Sequence, residues 1–287
     1  MRLRTFLAAA LLATSAFVSV APGGAPMGFP GAYLGEGQWA VGAEYGYERT
    51  NLRAFGAVTE EFLAGSSHTW NSAFQIDDLT SHMGFGTLAY GISDTWDIFA
   101  RVGAANARDT LFVRPADTDA LQAQDNFDGS FGFAWGVGTR ATFLRSGPWS
   151  VGGLVQVTWF YPGESNFAVP NPDPAESWGG EVKLKYWQAQ TSLAAGYQAD
   201  RWRVWAGPFL QFIRGDMDFR STDAGVGVNS IRWSSKVQED AHVGGHAGVA
   251  CEVSDQFNLW VEGQVTGSDS WLVGVGAVFI PGKGSDL

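Results

Sequence analysis

Four tight polar links, each followed at once by an aromatic residue, punctuate the chain. They are Ile92-Ser93-Asp94-Thr95-Trp96, Leu144-Arg145-Ser146-Gly147-Pro148-Trp149, Gln198-Ala199-Asp200-Arg201-Trp202 and Val253-Ser254-Asp255-Gln256-Phe257. The restarting aromatics Trp96, Trp149, Trp202 and Phe257 are 53, 53 and 55 residues apart, so one supersecondary unit recurs. Between the links lie long polar connections near 54–73, 107–126, 163–180 and 221–236, the third broken by Pro170, Pro172 and Pro174. Short turns alternating with long connections are the asymmetry of an antiparallel up-and-down transmembrane β-barrel. The flanks predict an all-β chain of about ten strands, with eight and twelve as the alternatives. They fall near 38–53, 75–92, 95–106, 127–144, 148–162, 182–199, 201–219, 237–253, 256–266 and 270–280. An even count puts both ends of the barrel on the short-turn side.

Within these strands the side chains alternate with period two. Trp149, Val151, Val155, Val157, Trp159 and Tyr161 share one face, while Ser150, Gly152, Gln156 and Thr158 share the other. A soluble sandwich would carry a charged outer face, yet only 16% of residues are charged, against about 25% in ordinary soluble domains. The apolar face therefore points to lipid, with aromatics at the strand ends as an interfacial girdle. That assignment sends charge inward: Glu44, Glu48, Asp78, Asp97, Arg101, Asp128, Arg140, Arg203, Glu252 and Glu262. Of these, Glu44, Asp97, Arg101, Arg140, Arg203, Glu252 and Glu262 are expected to line the lumen and to pair across it. In the fourth strand the same parity sends Phe127 outward and Asp128 inward. Alternation falters in two places. The apolar parity switches near Tyr186 and Trp187, which predicts a bulge or a strand leaving the membrane; Leu88, Tyr90 and Ile92 fall on the inward parity, which predicts a plugged or bulged end. Fifteen glycines fall inward, compatible with a thin water path and equally with relief of strong curvature.

Arg2 and Arg4 precede an uncharged apolar run from Phe6 to Val20, the form of a secretory signal. The expected organisation is a signal peptide over 1–21, a periplasmic lead-in over 22–36, the barrel over 37–280 and a short tail over 281–287. No later stretch approaches the ~20 apolar residues of a spanning helix. A single cysteine excludes an internal disulfide framework, and a net charge of −11 argues against nucleic acid as a partner.

The signal, the turn–aromatic repeat and the last strand, Trp271-Leu272-Val273-Gly274-Val275-Gly276-Ala277-Val278-Phe279, resemble Gram-negative outer-membrane β-barrel proteins of the small porin-like or OmpA-like kind. The resemblance implies an outer-membrane address, surrounding outer-membrane lipid, and recognition of the terminal strand, ending at Phe279, by the barrel-insertion machinery. The expected role is structural or that of a narrow, cation-leaning passive pore for small ions or solutes, without cofactor, metal or catalysis. An adhesin acting through the outer loops is the alternative. A further alternative is a rim protease: Asp240 and His242 are similar to the Asp-x-His of omptins, with Asp125 and Asp128 as carboxylates from the opposite wall and His246 four residues further along. A carboxylate that orients a histidine to activate water is sound chemistry.

Overall fold

The computed structural model describes residues 24–113, 123–169, 178–223, 228–239, 242–267 and 270–281. The strands are β1 (Trp39–Phe62), β2 (Ser67–Ser93), β3 (Trp96–Val113), β4 (Ala123–Ser146), β5 (Trp149–Phe160), β6 (Ser165–Val169), β7 (Trp178–Ala199), β8 (Trp202–Asp223), β9 (Val228–Glu239), β10 (Val243–Ser254), β11 (Phe257–Thr266) and β12 (Trp271–Phe279). Each of the four predicted links is a two-residue turn: β2 to β3, β4 to β5, β7 to β8 and β10 to β11. Asp200 and Gly147 supply the positive φ that two of these turns require.

Ten strands close the barrel in the order β1-β2-β3-β4-β5-β7-β8-β10-β11-β12, and β12 returns antiparallel to β1 with Phe279 opposite Val41. Closure leaves no unpaired edge, which is the condition for strands to cross lipid. The exterior of this tier is apolar: Val102, Val137, Val155, Leu193, Leu259 and Val273 are all exposed. Along β5, Trp149 and Trp159 bracket the band, ten residues apart. That is roughly 33 Å along the strand, or about 25 Å along the axis at the usual tilt, the height of an outer-membrane apolar belt. The chain is an antiparallel up-and-down transmembrane β-barrel.

All four long polar stretches, expected as loops, are largely strand in the described residues. β1 and β2 continue past the apolar belt to a tight turn at residues 63–66, where Gly65 has φ 79°. β7 and β8 likewise pair as far as Gly179 and Asp223. Here β9 fills the wall between β8 and β1, and β6, paired to β7, lies beside β4. The wall thus has ten strands at the belt and eight above it, formed by β1-β2-β3-β4-β6-β7-β8-β9. Polar composition hid these segments because water, not lipid, bathes them.

The change of surroundings also explains the first parity fault. β7 has no bulge at Tyr186. Gln190 and Gln188 point inward at the belt, and Tyr186, Leu184 and Val182 continue inward above it. Their outward neighbours change from Leu193 and Trp187 to Lys185 and Lys183. Apolar side chains face lipid below the boundary and the barrel axis above it, so the pleat runs on while hydrophobicity swaps sides. In β8 the same boundary separates outward Phe212 from outward Arg214 and Asp216.

Other parities need correction. In β2 the odd residues Met83, Phe85 and Ala89 are buried and face inward, while Leu88, Tyr90 and Ile92 are exposed to lipid and do not plug the lumen. The register shift between Gly91 and Ser93 is the bulge expected at that end. A register shift between Ala105 and Ala107 reverses the upper part of β4. Phe127 is therefore buried inside and Asp128 lies outside, paired with Arg108 at 2.6 Å. Asp78 is also external, held by Arg49 at 2.5 Å after the shift that follows Thr50.

Candidate functional site: an occupied lumen

Of the stretch expected as a lead-in, Glu36 and Gly37 are exposed, while residues 24–34 lie within the barrel, almost all of them buried. Their sequence, Gly24-Ala25-Pro26-Met27-Gly28-Phe29-Pro30-Gly31-Ala32-Tyr33-Leu34, is unsuited to helix or strand because of its prolines and glycines. Its backbone groups therefore need partners from elsewhere, and the inward side chains of the wall provide them.

Glu262 of β11 accepts from two successive amides, Met27 at 2.6 Å and Gly28 at 2.9 Å, and Gly28 has φ 67°. The left-handed turn there aims both N–H groups at one carboxylate, as in an anion nest. The Ala25 amide donates to Gln188 Oε1 at 2.7 Å. The Ala25 carbonyl accepts from Gln264 at 3.1 Å and the Pro26 carbonyl from Arg101 at 2.8 Å. Arg101 also donates to Thr158 and lies 3.5 Å from Glu44. Nearer the short turns, Asp97 accepts from the Tyr33 amide at 3.1 Å and pairs with Arg140 at 2.9 Å, and Arg140 donates to the Tyr33 hydroxyl at 2.8 Å. A belt of amides ties the wall together: Gln156 donates to Gln190 at 2.6 Å, and Gln190 to Gln264 at 2.9 Å.

The inward glycines acquire a third explanation here. A side chain at Gly46 would meet Pro26 at 2.9 Å, one at Gly152 would meet the Gly31 Cα at 2.7 Å, and one at Gly196 would meet Phe29 at 2.8 Å. The volume they leave empty holds the amino-terminal segment. Gly138 and Gly248 instead seat wall aromatics, Phe99 and Trp205.

Five of the predicted lumen charges come together around this segment: Glu44, Asp97, Arg101, Arg140 and Glu262. Arg203 and Glu252 line a smaller cavity at the short-turn mouth with Met27, Phe29 and Tyr33, where Arg203 lies over the Phe29 ring at 4.3 Å. Above the polar layer, the lumen is filled by an apolar cluster that includes Leu52, Ile76, Phe160, Leu184, Ile213 and Met217, all of them fully or almost fully buried. Gln156 was read as inward, but Gln188, Gln190 and Gln264 were missed by sequence reasoning that looked for charge; their signal was the inward parity that they share.

Of the expected rim residues, the described ones are His242, His246 and Asp128. His242 bonds Glu239 at 2.5 Å and stacks on Phe212 at 5.0 Å. Asp128 faces outward from β4, and Asp240 and the Asp125 side chain lie outside the described residues. His246 points inward, buried beside Phe209, with neither ring nitrogen hydrogen-bonded among the described residues. No cluster of metal-ligating side chains occurs among the described residues. On the outer wall above the belt, Lys183 and Lys236 are held above the ordinary lysine range. The cause is first the hydrogen bond each gives to Glu164 and Asp216, then those carboxylates' charge.

No family model and no curated protein matches the chain. Among solved structures, it is similar to the outer membrane protease OmpT from Escherichia coli (10% identity, TM-score 0.44, covering 84% of this chain and 94% of that one). It is also similar to the outer membrane protein OprG from Pseudomonas aeruginosa (11%, 0.46, 86% and 96%) and to the Pseudomonas putida toluene transporter TodX (10%, 0.37, 86% and 89%).

Proposed function

We propose that the protein is a resident outer-membrane barrel that is closed at rest, with the short turns in the periplasm and the long strands outside the cell. One observation carries this reading: the lumen is occupied through its height, by residues 24–34 in the polar lower half and by the apolar cluster above. A standing small-solute pore needs a continuous polar path, and the upper cluster interrupts it. Of the two expected roles, structural or narrow pore, the filled lumen favours the structural one, in which the amino-terminal segment braces the wall from within.

The test is planar-bilayer conductance of the folded, processed chain. It is expected to be silent. A form lacking residues 24–34 exposes Glu44 and Glu262 to the lumen, and any flicker it shows should favour cations. Steady conductance from the intact chain would overturn the closed reading.

A further inference from the structure

The outer wall carries a second feature, unrelated to the lumen. A cross-strand row of outward residues runs Trp135-Trp159-Trp187-Arg214-Gln238 over β4, β5, β7, β8 and β9. Trp135 and Trp159 stack at 4.3 Å. One pleat repeat further from the short turns, about 7 Å along the strand, lies the row Lys185-Asp216-Lys236. The chain holds four lysines and carries a charge of −11, yet Lys183, Lys185 and Lys236 all sit on this patch beside Arg214. Lys236 and Arg214 have partners, Asp216 and Glu239, but remain largely accessible, with side-chain exposures of 82% and 42%. Lys185 is exposed and has no ion pair among the described residues. Trp159, Tyr161, Lys185, Trp187, Arg214 and Lys236 line an open groove of about 540 Å³.

We propose that this groove binds a phosphorylated saccharolipid of the outer leaflet, of the lipid A class. Acyl chains lie against the tryptophan row below, and phosphates meet Lys185 and Lys236 above. Three features select this occupant. The cations stand at the upper edge of the apolar belt and face outward, where headgroups of the outer leaflet lie. The tryptophans supply the flat amphipathic surface that interfacial sugars and glycerol levels favour. Lys185 and Lys236 are two strands apart, about 10 Å, a spacing suited to a disaccharide with a phosphate at each end and wasted on a phospholipid with one. The proposal rests on the outward orientation of the long strands given above.

The experiment is native mass spectrometry of the folded chain in detergent, titrated with bisphosphorylated lipid A, its dephosphorylated form, and phosphatidylglycerol. Bisphosphorylated lipid A is expected to bind at least about tenfold more tightly than either of the others. The exposed double variant Lys185→Gln/Lys236→Gln should lose about tenfold or more, since charge-assisted phosphate contacts are the strong ones. Arg108→Gln, an exposed cation on the β3 wall, should leave binding unchanged. Equal binding of the three lipids, equal loss in both variants, or no loss in the double variant would overturn the site. Membrane fractionation is the separate arm: a chain that sediments with the outer membrane yet shows no phosphate preference sinks the site alone. One that keeps the preference but sediments elsewhere sinks the outer-membrane reading and, with it, this natural occupant.

Discussion

Glu262 shows how much a single inward side chain does in a barrel of this size. Its carboxylate holds two amides of a segment that has no secondary structure of its own. Hydrogen bonds to a charged group contribute roughly 1.5–3 kcal/mol each, so Glu262→Ala should raise the detached population of residues 24–34 by a factor of ten or more. Chymotrypsin added to the folded variant in detergent is expected to cut after Tyr33 or Leu34 at least about tenfold faster than in the parent. An unchanged rate would mean that the remaining contacts suffice. Gly152 tests the same segment sterically. A valine there would drive its Cβ into the Gly31 Cα at 2.7 Å, a harder clash than the 3.1 Å approach to the Ala141 carbonyl of β4. Gly152→Val should therefore expose the same chymotrypsin sites without lowering the barrel's resistance to unfolding in detergent. At this scale the sequence was partly legible. Glu44, Asp97, Arg101, Arg140 and Glu262 were readable as inward from parity alone. That Glu262 accepts from Met27 and Gly28 was not, because those residues are 235 and 234 positions away in the chain.

Single strands carry the boundary between lipid and water. β7 keeps one pleat phase from end to end, with Leu193 and Trp187 outward at the belt and Lys185 and Lys183 outward above it. A charged side chain on the lipid face near the bilayer centre costs about 2–4 kcal/mol, falling toward zero at the interface. Leu193→Arg should thus destabilise the refolded barrel in lipid vesicles by about that amount, whereas Lys183→Arg should change nothing measurable. Equal effects at the two positions would place the boundary elsewhere. The fault in sequence parity near Tyr186 was a true signal of this boundary. A bulge and an exit from the membrane produce the same pattern along one strand, and only the unbroken pairing of β7 with β8 through that point separates them. The converse case is β4, where a register shift opposite Ala105 and Ala107 moved Asp128 outside; one skipped residue reverses every side chain beyond it.

The whole molecule is a two-tier cylinder, with ten strands in the belt and eight above. In the upper tier, β9 is held between β1 and β8, and it replaces the three strands β10, β11 and β12 of the belt. Shortening the β1–β2 hairpin by removing residues 56–72 takes away most of β9's partners on one side. Trypsin is then expected to nick β9 at Arg232 or Lys236 while the belt strands remain protected, as read by mass spectrometry of the fragments. Protection of β9 in the shortened form would show that its ladder to β8 is enough to hold it.

By itself the sequence determined the barrel, its count of about ten strands, the four tight turns and, outside β2 and the upper part of β4, the face that meets lipid. Each of these is local, set by turn chemistry and by a period of two repeated under a uniform solvent. What the tertiary structure decided is everything that depends on pairing across distance: the upper tier and its inverted faces, the outward place of Asp128, and the occupied lumen. A segment rich in glycine and proline carries no period and so announces no partner. Its place inside the barrel follows only when closure brings Asp97, Arg101, Gln188 and Glu262 around one axis, where unpaired amides and carbonyls find their complements.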